Sequence, residues 1–210
     1  MKARRTRPAP SWWCLAYLRG CVVALLLLVW PGAAMAIEYE GAEFPEMISA
    51  GDTTLRLAGC GVREAFIFDV YVAALYLPRV GMGADEIIAR ETSKAVELRI
   101  VFNGSIPDDI PESWSEPLDR IPREDIQRTI ADIYADFSTG DRMTIRHTPA
   151  LGTEVRINDM VRKHSEGSAI IDPLQQLWIG EAAVSGNLRR LLLGGSCGDL
   201  TLPVRRNDGG

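Results

Sequence analysis

Residues 65–77, reading AFIFDVYVAALYL, constrain the fold of this chain more than any other segment. At the two-residue period of a strand, Phe66, Phe68, Val70, Val72, Ala74 and Tyr76 fall on one face. Ala65, Ile67, Tyr71, Ala73, Leu75 and Leu77 fall on the other. Both faces are apolar, so the segment predicts a central strand covered on two sides. Residues 94–102 alternate more plainly, with Val96, Leu98, Ile100 and Phe102 on one side. Lys94, Glu97 and Arg99 lie largely on the other, the pattern of a half-buried strand. Residues 142–148 and 153–158 read as the arms of an antiparallel hairpin, and Asn158-Asp159 as a turn.

Helical spacing is equally plain in residues 122–137, where Ile126, Ile130, Ile133, Tyr134 and Phe137 recur behind a Pro-Arg-Glu-Asp first turn. Asp172 is placed to cap a second helix with Pro173 at its first position and Ile171, Leu174, Leu177 and Trp178 on one side. Ser185 caps a last helix that turns Leu188, Leu191 and Leu192 inward and stops at Gly194-Gly195. Prolines and acidic residues break the pattern over residues 106–122, a predicted loop in which Trp114 and Leu118 anchor a short helical piece. Strands and amphipathic helices mixed in this way predict the α+β class.

Residues 1–36 have the three parts of an export signal. They are a basic start with Lys2, Arg4, Arg5 and Arg7, an apolar run over residues 22–30, and the small-residue pattern Ala34-Met35-Ala36. The run is short for a bilayer span, which takes about 20 apolar residues, and no later segment is long enough, so the expectation is cleavage after Ala36. The product is a periplasmic protein of one domain, residues 37–210. Five of the 23 basic residues leave with the signal, so 18 remain against 28 acidic ones, a formal charge of −10. That sign argues against nucleic acid and anionic membrane surfaces as partners. Cys14 and Cys21 also leave. Cys60 and Cys197 stay in an oxidising compartment, either as a disulfide or as two buried thiols. His147 and His164 are the only histidines and have no metal-binding spacing near them, so no metal or other cofactor is expected.

Gly59-Cys60-Gly61-Val62-Arg63, followed by Phe68-Asp69-Val70-Tyr71-Val72-Ala73-Ala74-Leu75-Tyr76-Leu77-Pro78, resembles the exported bacterial branch of the chalcone isomerase-like family. Gly140-Asp141, Pro149, Gly152-Thr153, Asn158, Leu177-Trp178-Ile179-Gly180 and Leu191-Leu192-Leu193-Gly194 follow in the order that family shows. The resemblance implies an open-faced β-sandwich, a large antiparallel sheet with helices packed on one face and a ligand cleft between the layers. The family holds true isomerases, fatty-acid-binding proteins and non-catalytic members, so membership alone does not separate enzyme from binder.

In the plant enzymes an arginine before the long strand stabilises a phenolate, while a strand threonine and a helix tyrosine position the ketone. Arg63 matches the arginine. Tyr71 stands at the threonine position, a departure from the enzymes' pattern, and Ile126 or a neighbour stands near the tyrosine position. Arg63 therefore reads either as an anion-binding guanidinium or as half of a surface salt bridge. Tyr71 reads as a ligand-facing hydroxyl or as a core residue. Asp69, inside so apolar a strand, must lie at a solvent-exposed end or meet Arg99, Arg146 or Arg156. His147, Trp178 and Tyr134 read as structural. Three functions follow: a binder of a fatty acid or similar apolar anion held by Arg63 and Tyr71, an isomerase acting on an enone or phenolic substrate, or an envelope module that contacts another protein through residues 106–122. The binder is preferred, and the sequence leaves the oligomeric state open.

Overall fold

The computed structural model describes residues 36–65, 68–104, 110, 112–119, 123–181, 183–194 and 197. Two strands, β1 (Ala36–Tyr39) and β2 (Ala42–Pro45), form a separate hairpin. Its turn is Glu40-Gly41, both at positive φ, as a two-residue turn matched to the strand twist requires. Seven more strands form one antiparallel sheet in chain order: β3 (Met47–Ala50), β4 (Thr53–Ala65), β5 (Phe68–Leu77), β6 (Lys94–Ile100), β7 (Arg142–Thr148), β8 (Gly152–Ile157) and β9 (Met160–Ser165). The sheet curls. A Cβ on Gly51, after β3, would meet Leu151 and Thr148 from the β7–β8 end.

β5 carries the two-sided burial that its sequence predicts. Tyr71, Ala73, Leu75 and Leu77 enter the larger core, while Val72, Ala74 and Tyr76 enter a second core on the opposite face. The strand begins at Phe68 rather than residue 65, because Ala65 ends β4 and pairs with Phe68 across the reversal. The predicted residues Phe66 and Ile67 lie outside the described residues. Among the described residues five helices, α1 (Ala84–Ile88), α2 (Glu112–Asp119), α3 (Glu124–Ala135), α4 (Ile171–Ile179) and α5 (Gly186–Leu193), supply the larger core with Ile87, Trp114, Ile130, Trp178 and Leu188 among others. The second core is closed by Tyr39, Ala42 and Phe44 of the hairpin.

Several sequence expectations require correction. β6 stops at Ile100, although Val101 and Phe102 both still donate to the Val70 carbonyl. Lys94 points to the apolar side and is buried, its Nζ donating to the carbonyls of Ile87 at 2.7 Å and Ala89 at 3.0 Å. A cation that serves the open carbonyls of a helix end has a reason to be inside. Glu97 is also buried rather than solvent-facing. Asp172 lies in the first turn of α4 instead of capping it. Its N–H bonds the Ser168 carbonyl at 2.8 Å and its carboxylate accepts from Ser168 Oγ at 2.9 Å. α3 starts at Glu124, and Pro122 lies outside the described residues. The 106–122 segment does hold the expected short helical piece, α2, with Trp114 and Leu118 buried. Ser185 does cap α5, its Oγ accepting from Leu188 N at 3.2 Å.

The Gly-Cys-Gly triplet of β4 serves both faces. On the helix side a Cβ at Gly59 would sit 2.2 Å from the Leu192 carbonyl oxygen, so only glycine lets α5 lie on the strand there, and one at Gly61 would press on the Leu188 and Leu191 side chains. Between them Cys60 points into the second core and is joined to Cys197, with Cα atoms 4.9 Å apart across 137 residues of chain.

Two predictions follow from this architecture. Closing so long a loop is worth about 5 kcal/mol in the chain-entropy account, and losses of native disulfides run at about 2–5 kcal/mol. A Cys197→Ser protein is therefore expected to melt on the order of 10 °C lower in a thermal scan, and an unchanged melting temperature contradicts this role. Burial raises the Glu97 carboxyl above its ordinary 4.5, against the pull of Arg142, Arg99 and Arg146. In the folded state it holds its proton to higher pH than in the unfolded state, so its contribution to stability falls as pH rises from 4.5 through the folded value. Glu97→Gln should accordingly be at least as stable as wild type at neutral pH, with a flatter pH dependence above 4.5. A large neutral-pH loss would show that the carboxylate is needed as the arginines' counter-ion.

Candidate functional site

β4 and β5 place Arg63 directly opposite Tyr71 in the ladder, two residues along from the Gly61–Ala73 pair. Gly61 lies under Leu188 of α5, so Arg63 and Tyr71 share the helix-covered face of the sheet. Arg63 is half-buried. Its guanidinium donates to the backbone carbonyl of Glu64 and, among the described residues, forms no ion pair. Asp69 is exposed, opposite Glu64, and makes no ion pair with Arg99, Arg146 or Arg156 among the described residues. It marks the strand end that reaches solvent.

Tyr71 is buried, and its Oη accepts a hydrogen bond from Trp178 Nε1 at 3.0 Å. Indole N–H is donor-only, so this bond occupies a lone pair of the hydroxyl and leaves its hydrogen to give. No acceptor for that hydrogen exists among the described residues. Burial holds the Tyr71 pKa well above the ordinary phenolic 10.0, against the opposing effects of the Trp178 bond and the Arg63 charge. Tyr71 is thus a neutral donor at any physiological pH. Around it stands an aromatic nest with edge-to-face contacts: Tyr71 to Trp114 at 6.4 Å, Trp114 to Trp178 at 6.3 Å, Trp114 to Tyr134 at 5.9 Å and Tyr134 to Phe137 at 5.9 Å.

A permanent cation and a neutral hydroxyl beside an aromatic surface suit an anionic head on an apolar body, since charge-assisted hydrogen bonds to guanidinium are the strong ones. On the other side of Trp178 the layers are filled. The space among Leu75, Lys94, Val96, Gln175 and Trp178 measures about 10 Å³, at most one water.

The sequence pairs Arg63 with Tyr71 only through the family pattern, and the ladder brings them together. Nothing in the spacing pointed to Trp178 as the residue that orients the Tyr71 hydroxyl, because the two are 107 residues apart. His147 is structural, with Nδ1 3.1 Å from Thr153 Oγ1 and Nε2 3.0 Å from the Arg90 carbonyl oxygen. Among the described residues no group of three or more His, Cys, Asp or Glu side chains is placed to hold a metal. No described helix is long and apolar enough to cross a membrane.

A curled antiparallel sheet with helices over one face is the chalcone isomerase-like architecture, and comparisons with known proteins agree. The chalcone isomerase-like family profile matches residues 36–194. The chain belongs to that family. The crystal structure of a fatty-acid binding protein of Arabidopsis thaliana is similar in fold, with a TM-score of 0.56 at 18% identity over 76% of this chain and 96% of that one. No curated protein matches the chain.

The Tyr71–Trp178 bond makes a double-mutant prediction. Trp178→Phe should cost about 3 kcal/mol or more from lost packing and an orphaned hydroxyl, and Tyr71→Phe about 1–3 kcal/mol. The two in combination should cost less than their sum by about 1 kcal/mol in denaturant unfolding. Strict additivity contradicts the bond.

Proposed function

We propose that this protein is an exported, non-catalytic binder of a fatty acid or a similar apolar anion, with the head group on Arg63 and Tyr71. The observation that carries the reading is the pair itself. A buried hydroxyl, oriented by Trp178 and with its hydrogen unassigned, stands across one ladder step from an arginine that no described carboxylate neutralises. The apolar body lies along the Trp114–Tyr134–Phe137 side, because the Lys94 side has no room for it. The name of the Arabidopsis thaliana protein supports the ligand class.

Export rests on the leader pattern of residues 1–36. Cleavage after Ala36 would remove only the Ala36–Pro45 pair of the first hairpin, leaving Ile37–Phe44 and the pairs beyond it intact. Within the family, this reading places the chain in the exported bacterial branch and in the periplasm.

The binding test is calorimetric titration with hexadecanoate. Arg63→Ala should weaken binding roughly tenfold to a hundredfold, and Tyr71→Phe about tenfold, the loss of a charged and a neutral hydrogen bond respectively. Arg63→Ala should still unfold cooperatively, and wild-type affinity in that variant would sink the proposal. Saturable turnover of a chalcone that disappears in Arg63→Ala would favour the isomerase reading instead. N-terminal sequencing of the periplasmic protein should begin at Ile37.

A further inference from the structure

The sheet face opposite the helices also concentrates unmet hydrogen-bonding capacity. Among the described residues, five buried side-chain nitrogens and oxygens lack a hydrogen-bond partner, and four of them belong to this face: Tyr76 Oη, Glu97 Oε1, Arg99 Nε and Arg146 Nε. Strand register explains the clustering. Tyr76, Ala95, Arg146 and Glu154 form one row across β5–β8, and Ala74, Glu97, Thr144 and Arg156 form the next. Native proteins rarely leave buried polar atoms unsatisfied, and of these four residues only Arg146 also lines the cleft between β3 and the β7–β8 end.

The charges on this face are unequally matched. Arg156 is held by Glu154 at 2.6 Å, and Arg142 by Asp159. Arg99 has only Glu97, at 3.8 Å, too far for a hydrogen bond. Arg146 has no carboxylate within ion-pair distance among the described residues. It opens onto a half-open cleft of about 220 Å³ at the mouth of the curl, whose walls include Ser49, Thr148, Glu154 and His164. The Glu154 charge is already engaged by Arg156, so the cleft presents an unmatched guanidinium beside Thr148, whose hydroxyl oxygen accepts from Leu151 N at 3.1 Å and keeps its hydrogen to give. At about 220 Å³ the cleft falls below the roughly 300–1,000 Å³ of pockets for drug-sized ligands, enough for a compact polar molecule and too little for a long acyl chain.

We propose that this cleft is a second ligand site, on the opposite side of the sheet from Arg63 and Tyr71, which binds a small oxyanion through Arg146 with the Thr148 hydroxyl beside it. A phosphate group or a carboxylate has the required chemistry, several acceptor oxygens around one negative charge, which the planar fork of arginine recognises. Because the two sites lie on different faces, occupancy of this one does not depend on the fatty-acid reading.

The test is an amide-resonance titration of the protein with inorganic phosphate and, separately, with succinate. Saturable shifts at Ser49, Gly51, Thr148 and Gly152 are expected with at least one probe. Arg146→Gln should weaken the binding by about tenfold, the usual effect of losing one charge-assisted contact, whereas Arg63→Ala should leave it unchanged. Leu151→Trp, at an exposed position in the cleft wall, should fill the cleft without touching the guanidinium, and decides the matter if Arg146→Gln does not fold. Saturation by phosphate alone assigns a phosphate-bearing ligand, by succinate alone a carboxylate, and by both a site that reads charge. Linear shifts with both probes, or saturable binding that survives both Arg146→Gln and Leu151→Trp, overturns the proposal.

Discussion

β5 is buried on both faces, and the rest of the architecture answers to that. A strand whose odd and even residues are both apolar exposes two surfaces to water unless each is covered, and burying apolar area is worth roughly 25 cal/mol per Å². Helices α1–α5 cover the side of Tyr71, Ala73, Leu75 and Leu77, while the β1–β2 hairpin and Cys197 cover the side of Val72, Ala74 and Tyr76. The chain beyond α5 reaches that second side at Cys60, so the disulfide ties the helix-covered half to the hairpin-covered half. Gly59 and Gly61 permit it by letting α5 rest on the strand.

The site inherits its chemistry from this central strand. Because Tyr71 lies deep in the helix-side core, its hydroxyl needs a partner, and Trp178 supplies one that can only donate. That choice leaves the hydroxyl a donor, on the same face of the sheet as the Arg63 charge. An acceptor in place of Trp178 would have consumed the same hydrogen and left a closed, purely structural bond. The opposite face follows a different rule. There the sheet curls around polar side chains, and the arginines of β6–β8 outnumber the carboxylates placed to meet them.

Elements with a strong period were legible in the sequence. The two faces of β5, the inward residues of α3 and the hairpin arms β7 and β8 all follow from residue spacing, as do the Asn158-Asp159 turn and the Ser185 cap. Elements without such a signal were not read. β9 reads Met160-Val161-Arg162-Lys163-His164-Ser165 and is mostly exposed at the sheet edge, where no alternation is needed. Lys94 and Glu97 looked solvent-facing because charge is the usual mark of an outer face, yet one meets carbonyls at a helix end and the other lies inside the curl. The carbonyls that Lys94 meets lie only five to seven residues back, at the end of a helix that carries no strong period, while Glu97 is flanked by Thr144 of a strand distant in sequence. The same holds for the site: Arg63 and Tyr71 were named through the family pattern, while Trp178, which gives Tyr71 its donor role, was read only as a core anchor.

The central claim is that Arg63 and Tyr71 hold the anionic head of an apolar ligand, and native mass spectrometry of the protein purified from a periplasm addresses it most directly. With Arg63→Ala prepared in parallel, the account predicts an acyl or aromatic acid bound to the wild-type protein and depleted from the variant. A folded wild-type protein that carries no such acid and takes none up, or a ligand retained equally by both proteins, would contradict it.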